Sequence, residues 1–249
     1  MVLTVAGVIA GGLWIRLMVA FDRRAGSHPL EGRARRAQMR WCRWLCRVYG
    51  IELELGGQSL APPPVLLASN HVSWLDIVVI SAVQPVVFLS KSEVADWPLV
   101  GPVATGLGTL YIQRGRRTAA QSAIDAMIGA LKERRRVLFF PEGTTGTGID
   151  LLPFRPRLFQ AAIDAGVPVQ PVAIDYRLPD GSHADAVSFR PGQSLANNVW
   201  ALASIPRLRV RIDAGSPIPT DGASRSELSS RTRSSIRRRL TSADQFAEA

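Results

Sequence analysis

The stretch Ser69-Asn70-His71-Val72-Ser73-Trp74-Leu75-Asp76 lies between two apolar runs, Val65-Leu66-Leu67-Ala68 and Ile77-Val78-Val79-Ile80. The first run is short and ends in polar residues, as a buried strand does; the second has the length and continuation of a helix. His71 and Asp76 are thereby placed at a strand-to-helix turn, where an α/β sheet offers side chains to a ligand. At about 100° per residue, their spacing cannot put both on one face of a continuous helix. With His71 on the turn and Asp76 in the first helical turn, however, the carboxylate reaches an imidazole nitrogen. Such a pair is a general base: Asp76 fixes tautomer and orientation, and the other ring nitrogen takes a proton. The structural alternative is a capping box, Ser73-x-x-Asp76, in which Asp76 only satisfies free amides at a helix start. One carboxylate can do both.

Downstream, short apolar runs alternate with helical periodicity, the pattern of an α/β domain. Val86-Val87-Phe88-Leu89 reads as the next strand and ends at Lys91, a natural anion contact. Trp97 to Gly101 reads as a loop or short helix. Gly108-Thr109-Leu110-Tyr111-Ile112-Gln113-Arg114 is a further strand, and Arg114 at its end can grip a phosphate or carboxylate with two hydrogen bonds. A helix over 118–134 precedes the strand Arg136-Val137-Leu138-Phe139-Phe140 and the turn Pro141-Glu142-Gly143-Thr144-Thr145-Gly146. There Glu142 can accept hydrogen bonds, and glycine allows close backbone approach to a ligand. Leu158 to Ala165 reads as helix, followed by a proline-marked strand from Val167 to Ile174. His28 and His183 fall in turn-rich segments, where solvated histidines are the ordinary finding.

Upstream, Met1 to Phe21 is apolar except for Thr4 and Arg16. At 1.5 Å per residue the run has roughly the length of a hydrocarbon core, about 30 Å. No basic residue precedes it, unlike a secretory signal. Arg16 argues for an oblique or interfacial helix as the rival to a spanning one, and no dimer is read from Gly7 and Gly11. Arginines dominate the residues that follow, which places the bulk of the chain on the cytoplasmic face of the inner or plasma membrane. From Glu31 to Tyr49, Ala34, Ala37, Trp41, Trp44, Leu45 and Val48 recur at helical spacing. Arg33, Arg36, Arg40, Arg43 and Arg47 occupy much of the remaining circumference. This is a basic amphipathic helix suited to a membrane interface, with packing on its own domain as the alternative. Ile51 to Leu55 then alternates as a strand.

The charge balance fits that picture. The chain of 249 residues carries a net charge of +10, and only Lys91 and Lys132 of its 30 basic residues are lysines. An anionic partner is implied, and without zinc-finger or base-stacking motifs it is anionic lipid, not nucleic acid. Cys42 and Cys46, the only cysteines, are badly placed for a disulfide within a helix and read as ordinary buried thiols in a reducing compartment.

Taken together, four blocks carry a resemblance. Asn70 to Asp76 resembles the His-x-x-x-x-Asp block of the 1-acylglycerol-3-phosphate acyltransferase family of glycerolipid enzymes. Gly108 to Arg114, Phe140 to Thr144 and Val167 to Val172 resemble its second, third and fourth blocks, in the same order and spacing over roughly residues 60 to 180. The resemblance implies a mixed central sheet flanked by helices, with an N-terminal membrane-associated helical segment. It divides the chain into an apolar anchoring segment (1–29), a basic interfacial helix (30–50), the acyltransferase domain (51–220) and a basic C-terminal tail (221–249). By the same resemblance, His71 deprotonates the acceptor hydroxyl of a lysolipid and Asp76 orients His71. Arg114, helped by Lys91, holds the acceptor's anionic headgroup, with Gly108 in the same block. Glu142, Gly143 and Thr144 position the glycerol part. No metal and no bound cofactor are implied; acyl-CoA or acyl-ACP, the acyl form of acyl carrier protein, is a co-substrate.

One position departs from the pattern. Family members acting on lysophosphatidic acid commonly have arginine after Glu-Gly-Thr, where this chain has Thr145. Glu-Gly-Thr-Thr-Gly, with Leu152-Pro153-Phe154-Arg155 shortly after, looks more like the branch that acylates lyso-ornithine lipid. Lysophosphatidic acid stays marginally first on the prevalence of that activity in the family, with Lys91, Arg116 or Arg155 able to supply the missing charge. Two readings of other classes compete. A hydrolase using Ser69 or Ser73 lacks the Gly-x-Ser-x-Gly elbow, and a non-catalytic basic membrane-surface protein would not need His71 and Asp76.

Overall fold

The alternation of apolar runs closes into one seven-stranded sheet flanked by helices. The computed structural model describes residues 2–26, 32–98, 100–113, 118–190 and 192–247, the side chains of 1–6, 8 and 242–249 apart. Arg114, His28 and Arg116 lie outside the described residues. In chain order the strands are β1 (Ile51–Gly57), β2 (Val65–Ser69), β3 (Val87–Lys91), β4 (Leu110–Ile112), β5 (Arg136–Phe139), β6 (Val169–Arg177) and β7 (Leu208–Ala214). Their order across the sheet is β1-β7-β6-β2-β5-β3-β4. The segment from β6 to β4 is parallel throughout, whereas β7 runs antiparallel to β6 and carries β1 parallel to itself. The central strand β2 is buried along its whole length, the signature of a sheet covered on both faces.

Each face has its own core. On one side α2 (Arg33–Val48), α3 (Leu75–Val83) and α7 (Leu195–Ala203) cover Leu67, Leu138, Ile174 and Val210. On the other, α5 (Ala119–Lys132), α6 (Gln160–Ala165) and α8 (Arg225–Ala247) cover Leu66, Val137, Phe139 and Val169. The arginine- and serine-rich C-terminal segment is thus a packed helix: Leu228, Ile236 and Leu240 of α8 are core residues. The parallel strands β2, β3, β4 and β5 all deliver their C-terminal ends to one edge, and three of the four sequence blocks meet there.

The N-terminal run forms α1 (Val2–Arg24), but among the described residues no helix is long and apolar enough to cross a membrane. This corrects the spanning reading. Arg16 and the glycines dilute the run, and one side of α1 packs on protein instead. Ile15 and Val19 are buried with Ala34 and Ala37 of α2 and with Val103 and Leu107 at α4 (Val100–Gly106). Gly7 and Gly11 seat the indoles of Trp44 and Trp41, where any side chain would collide with the rings. Asp22 then receives the free amides of Arg33 and Ala34 at 3.0 and 2.8 Å, so the end of α1 caps the start of α2.

The inner face of α2 is likewise bound to the domain. Gln38 donates to Ser81 Oγ and Arg43 to the Ala82 carbonyl. Arg35 is buried, donating to Gln38 Oε1 and the Leu107 carbonyl, and burial, with the nearby charge of Arg135, lowers its pKa to about 9. Cys42 and Cys46 are free and buried, their thiols pushed up by desolvation.

Candidate active site

The turn between β2 and α3 is organised by one carboxylate. Asp76, fully buried, points Oδ2 back over the turn that precedes it. Its Oδ2 accepts from the amides of Val72 and Ser73 at 2.8 and 3.1 Å, and lies 2.7 Å from His71 Nδ1. The carboxylate half of the capping box therefore forms, while the hydroxyl half does not, for Ser73 Oγ has no hydrogen-bond partner among the described residues. Asp76 is cap and histidine partner at once.

With Nδ1 committed to Asp76, the imidazole carries its proton there and leaves Nε2 as the acceptor. The His71 side chain is 21% exposed, enough for a substrate hydroxyl to reach it. Its ring is stacked on Phe140, with centroids 3.9 Å apart and planes inclined by 11°. That contact restrains rotation of the imidazole and offers a π face to the cation formed when Nε2 takes a proton.

A loop holds the same turn from the other side. Glu142, 4% exposed, accepts from the His71 amide at 3.0 Å through Oε1 and from the Leu152 amide at 3.2 Å through Oε2. Gly146 donates its amide to the His71 carbonyl at 2.7 Å. Phe189 donates to the Val72 carbonyl at 2.9 Å and accepts from the Thr145 hydroxyl. Desolvation raises the Glu142 pKa to about 7, against the lowering effect of the two amides it binds. The backbone on both sides of His71 is therefore fixed by Pro141–Gly146.

Of the other expected site residues, Lys91, Gly143 and Thr144 lie along this edge. Lys91 ends β3 with an exposed side chain. Gly108, at φ +80°, makes the turn from α4 into β4, at the opposite end of that short strand from the His71 edge. Gly143, at φ +70°, leaves the space against which Arg155 lies; the Arg155 amide is tied to the Pro141 carbonyl at 2.9 Å. Thr144 is half-buried in the same turn. His183 does not join the pair and is bonded through Nε2 to the Thr147 carbonyl at 2.9 Å. Among the described residues no group of three or more His, Cys, Asp or Glu side chains is placed to hold a metal ion.

Two contacts at the centre had no sequence signal. Phe140 reads as the end of a strand and the first residue of the third block, and nothing in its neighbours indicates a stack on a residue of another turn. Tyr176 reads as one more residue of a buried strand, yet its hydroxyl donates to Asp76 Oδ1 at 2.6 Å from β6. Chain separation conceals both.

Comparisons with known proteins place the chain among acyltransferases. The acyltransferase family profile matches residues 52–175. A lyso-ornithine lipid O-acyltransferase from Pseudomonas aeruginosa is 36% identical over 231 residues, 93% of this chain and 88% of that protein. A 1-acyl-sn-glycerol-3-phosphate acyltransferase from Neisseria meningitidis is 39% identical over 164 residues, 66% of this chain and 64% of that protein. The crystal structure of a 1-acyl-sn-glycerophosphate acyltransferase from Thermotoga maritima shares the fold, with a TM-score of 0.64 at 20% identity over 93% of this chain and 95% of that one. With its His71–Asp76 pair at the head of α3, the chain belongs to the acyltransferase family that includes these lysolipid enzymes.

Proposed function

We propose that the protein transfers a fatty acyl group from a thioester, carried by coenzyme A or acyl carrier protein, to the free hydroxyl of a lysolipid at a membrane surface. The observation that carries the reading is the 2.7 Å contact of His71 Nδ1 with Asp76, which leaves Nε2 of a partly exposed ring to act as base. Nε2 takes the hydroxyl proton as the oxygen bonds to the thioester carbonyl carbon. Collapse of the tetrahedral intermediate breaks the carbon–sulfur bond, and the imidazolium returns the proton to the departing thiolate. The developing imidazolium is supported by Asp76 and by the Phe140 face. Lys91 and Arg155 are the described cations assigned to the acceptor's headgroup.

Lyso-ornithine lipid is taken as the acceptor, with 1-acylglycerol-3-phosphate as the second reading. Two points favour this order. The Pseudomonas relative named for lyso-ornithine lipid aligns with 93% of this chain, against 66% for the Neisseria relative. At the position where lysophosphatidic acid enzymes commonly carry arginine, Thr145 is tied to the Phe189 carbonyl. A phosphate monoester profits from a second guanidinium more than a less charged headgroup does.

Membrane attachment belongs to the same proposal. The outward side of α1 is an apolar stripe in which Ile9, Leu13, Trp14, Leu17 and Phe21 are 38–53% exposed. Arg33, Arg36, Arg40 and Arg47 are exposed on α2, which packs against α1. An apolar stripe flanked by guanidinium groups suits an interfacial position on anionic lipid, on the cytoplasmic leaflet. To test the reaction, purified protein is given each acceptor with acyl-CoA or acyl-ACP in anionic vesicles, and ester formation is followed by mass. Product from lyso-ornithine lipid is expected; no ester from either acceptor with either donor refutes the reading.

A further inference from the structure

The contact between Asp76 and β6 reaches beyond packing. Asp76 has two oxygens in a site without solvent, and they are divided between two tasks. Oδ2 faces His71 and the amides of Val72 and Ser73. Oδ1 receives a single side chain, Tyr176, whose hydroxyl is 2.6 Å away. Tyr176 is completely buried, so neither group can turn to water. Their separation of 100 residues shows that the contact is made by the sheet, where β6 lies directly beside β2.

From this chain of contacts we propose that Tyr176 is a positioning residue of the catalytic base: it draws charge toward Oδ1 and so sets how strongly Asp76 supports a proton on His71. The proposal deepens the reading of His71 as the base and rests on it. A hydrogen bond from a neutral hydroxyl to a carboxylate spreads the negative charge and weakens its pull on the imidazolium. Without it, Asp76 holds the His71 proton harder, and the base is protonated over more of the neutral range. Burial and the neighbouring Asp76 charge hold the Tyr176 hydroxyl well above its ordinary pKa, so it stays a donor throughout.

Other ionisable groups face this chain and have to be separated from it. Glu142 sits on the His71 amide, with a pKa raised to about 7. The Cys46 thiol, from α2, adds a smaller charge effect on Tyr176. Neither changes when only the Tyr176 hydroxyl is altered. The test therefore compares full-length protein in vesicles carrying Tyr176, Tyr176→Phe, or 3-fluorotyrosine inserted at position 176. The fluorinated ring is a stronger donor of nearly the same size and has no reason to unfold the protein.

The midpoint of His71 is read directly, from its ring proton shifts against pH, with the His71→Gln spectrum giving the assignment. In parallel, kcat/KM is measured across the same pH range. Tyr176→Phe is expected to raise the His71 midpoint by about 0.5–1 pH unit and to lower kcat about tenfold near neutrality. Fluorotyrosine is expected to move the midpoint the other way. If neither residue moves the midpoint, Tyr176 is only a buried hydroxyl with a partner, and the proposal falls. If the midpoints move as expected but His71→Ala retains full turnover, the positioning stands and the assignment of His71 as base fails.

Discussion

The turn at His71 and the hairpin of α1 with α2 are both built from helix ends, and they differ in what each leaves undone. At the turn, Asp76 and Glu142 between them satisfy the amides of His71, Val72, Ser73 and Leu152. Nε2 of His71 remains for chemistry, and among the described residues the buried Ser73 hydroxyl is left without a partner. In the hairpin, Asp22 satisfies the first amides of α2, but a whole side of α1 stays apolar and exposed. One region is closed internally except for Nε2 of His71 and the Ser73 hydroxyl; the other leaves apolar side chains of α1 exposed. In the proposed reading, rigid polar satisfaction belongs to the chemistry and exposed apolar area to attachment.

The largest test of this contrast removes the one available atom. His71→Ala is expected to lower kcat/KM by about 10²–10⁴-fold, with Asp76→Asn approaching it through the wrong tautomer. Circular dichroism and vesicle sedimentation of His71→Ala should match wild type. Near-normal turnover in His71→Ala would remove the base from the mechanism.

The complementary test alters only the unfinished surface. Leu13→Ser with Leu17→Ser is expected to weaken binding to anionic vesicles about tenfold or more, from the apolar area lost. Turnover on a short-chain acceptor dispersed below its micellar concentration should be unchanged. Gly11→Leu acts from the inner side, forcing Trp41 from its seat and costing about 1–3 kcal/mol as overpacking, visible as a lower melting temperature. Sedimentation of the serine variant indistinguishable from wild type would break the comparison.

A subtler effect follows from Glu142. Its folded pKa, about 7, lies above the ordinary value of 4.5 because of burial. Between those values the folded protein holds a proton that the unfolded chain has lost. Its contribution to stability is therefore full below about pH 4.5 and is lost as pH rises through 7. Glu142→Gln should abolish that part of the slope of melting temperature against pH. It should also lower kcat about tenfold, because one of two amides is left without an acceptor. An unchanged slope would mean that Glu142 does not titrate in this range.

The smallest expected effect concerns the acceptor. Thr145→Arg should shift relative kcat/KM toward 1-acylglycerol-3-phosphate by less than about tenfold, since the new guanidinium first displaces the hydrogen bond to Phe189. Measurement with both acceptors and one thioester decides it. No shift would show that headgroup choice is made elsewhere on the edge, with Arg155 the next variant.

What could be read in advance is uneven for the same reason. The strand-turn-helix around His71 is local: a short apolar run, polar residues and a helical run lie in succession, so the Asp76 contact was legible from spacing. The sheet class was legible from the alternation of such runs. The faces of α1 and α2 were not. Trp41, Trp44 and the arginines of α2 have the periodicity of an interfacial helix, whichever surface their apolar side meets. Only packing shows that the tryptophans lie on Gly7 and Gly11, and that a run of spanning length is a helix folded onto its own domain.

The sequence by itself determined the chemistry that depends on neighbours along the chain: the order of the blocks, the His71–Asp76 pair and the turn at Gly143, whose φ of +70° the structure then shows. Tertiary structure alone decided the partners brought by strand order. Placing β6 and β5 on either side of β2 puts the Tyr176 hydroxyl on Asp76, the Phe140 ring on His71 and the Glu142 carboxylate on the His71 amide. Side-chain periodicity says which way a residue faces within its own strand, but not which strand lies next to it.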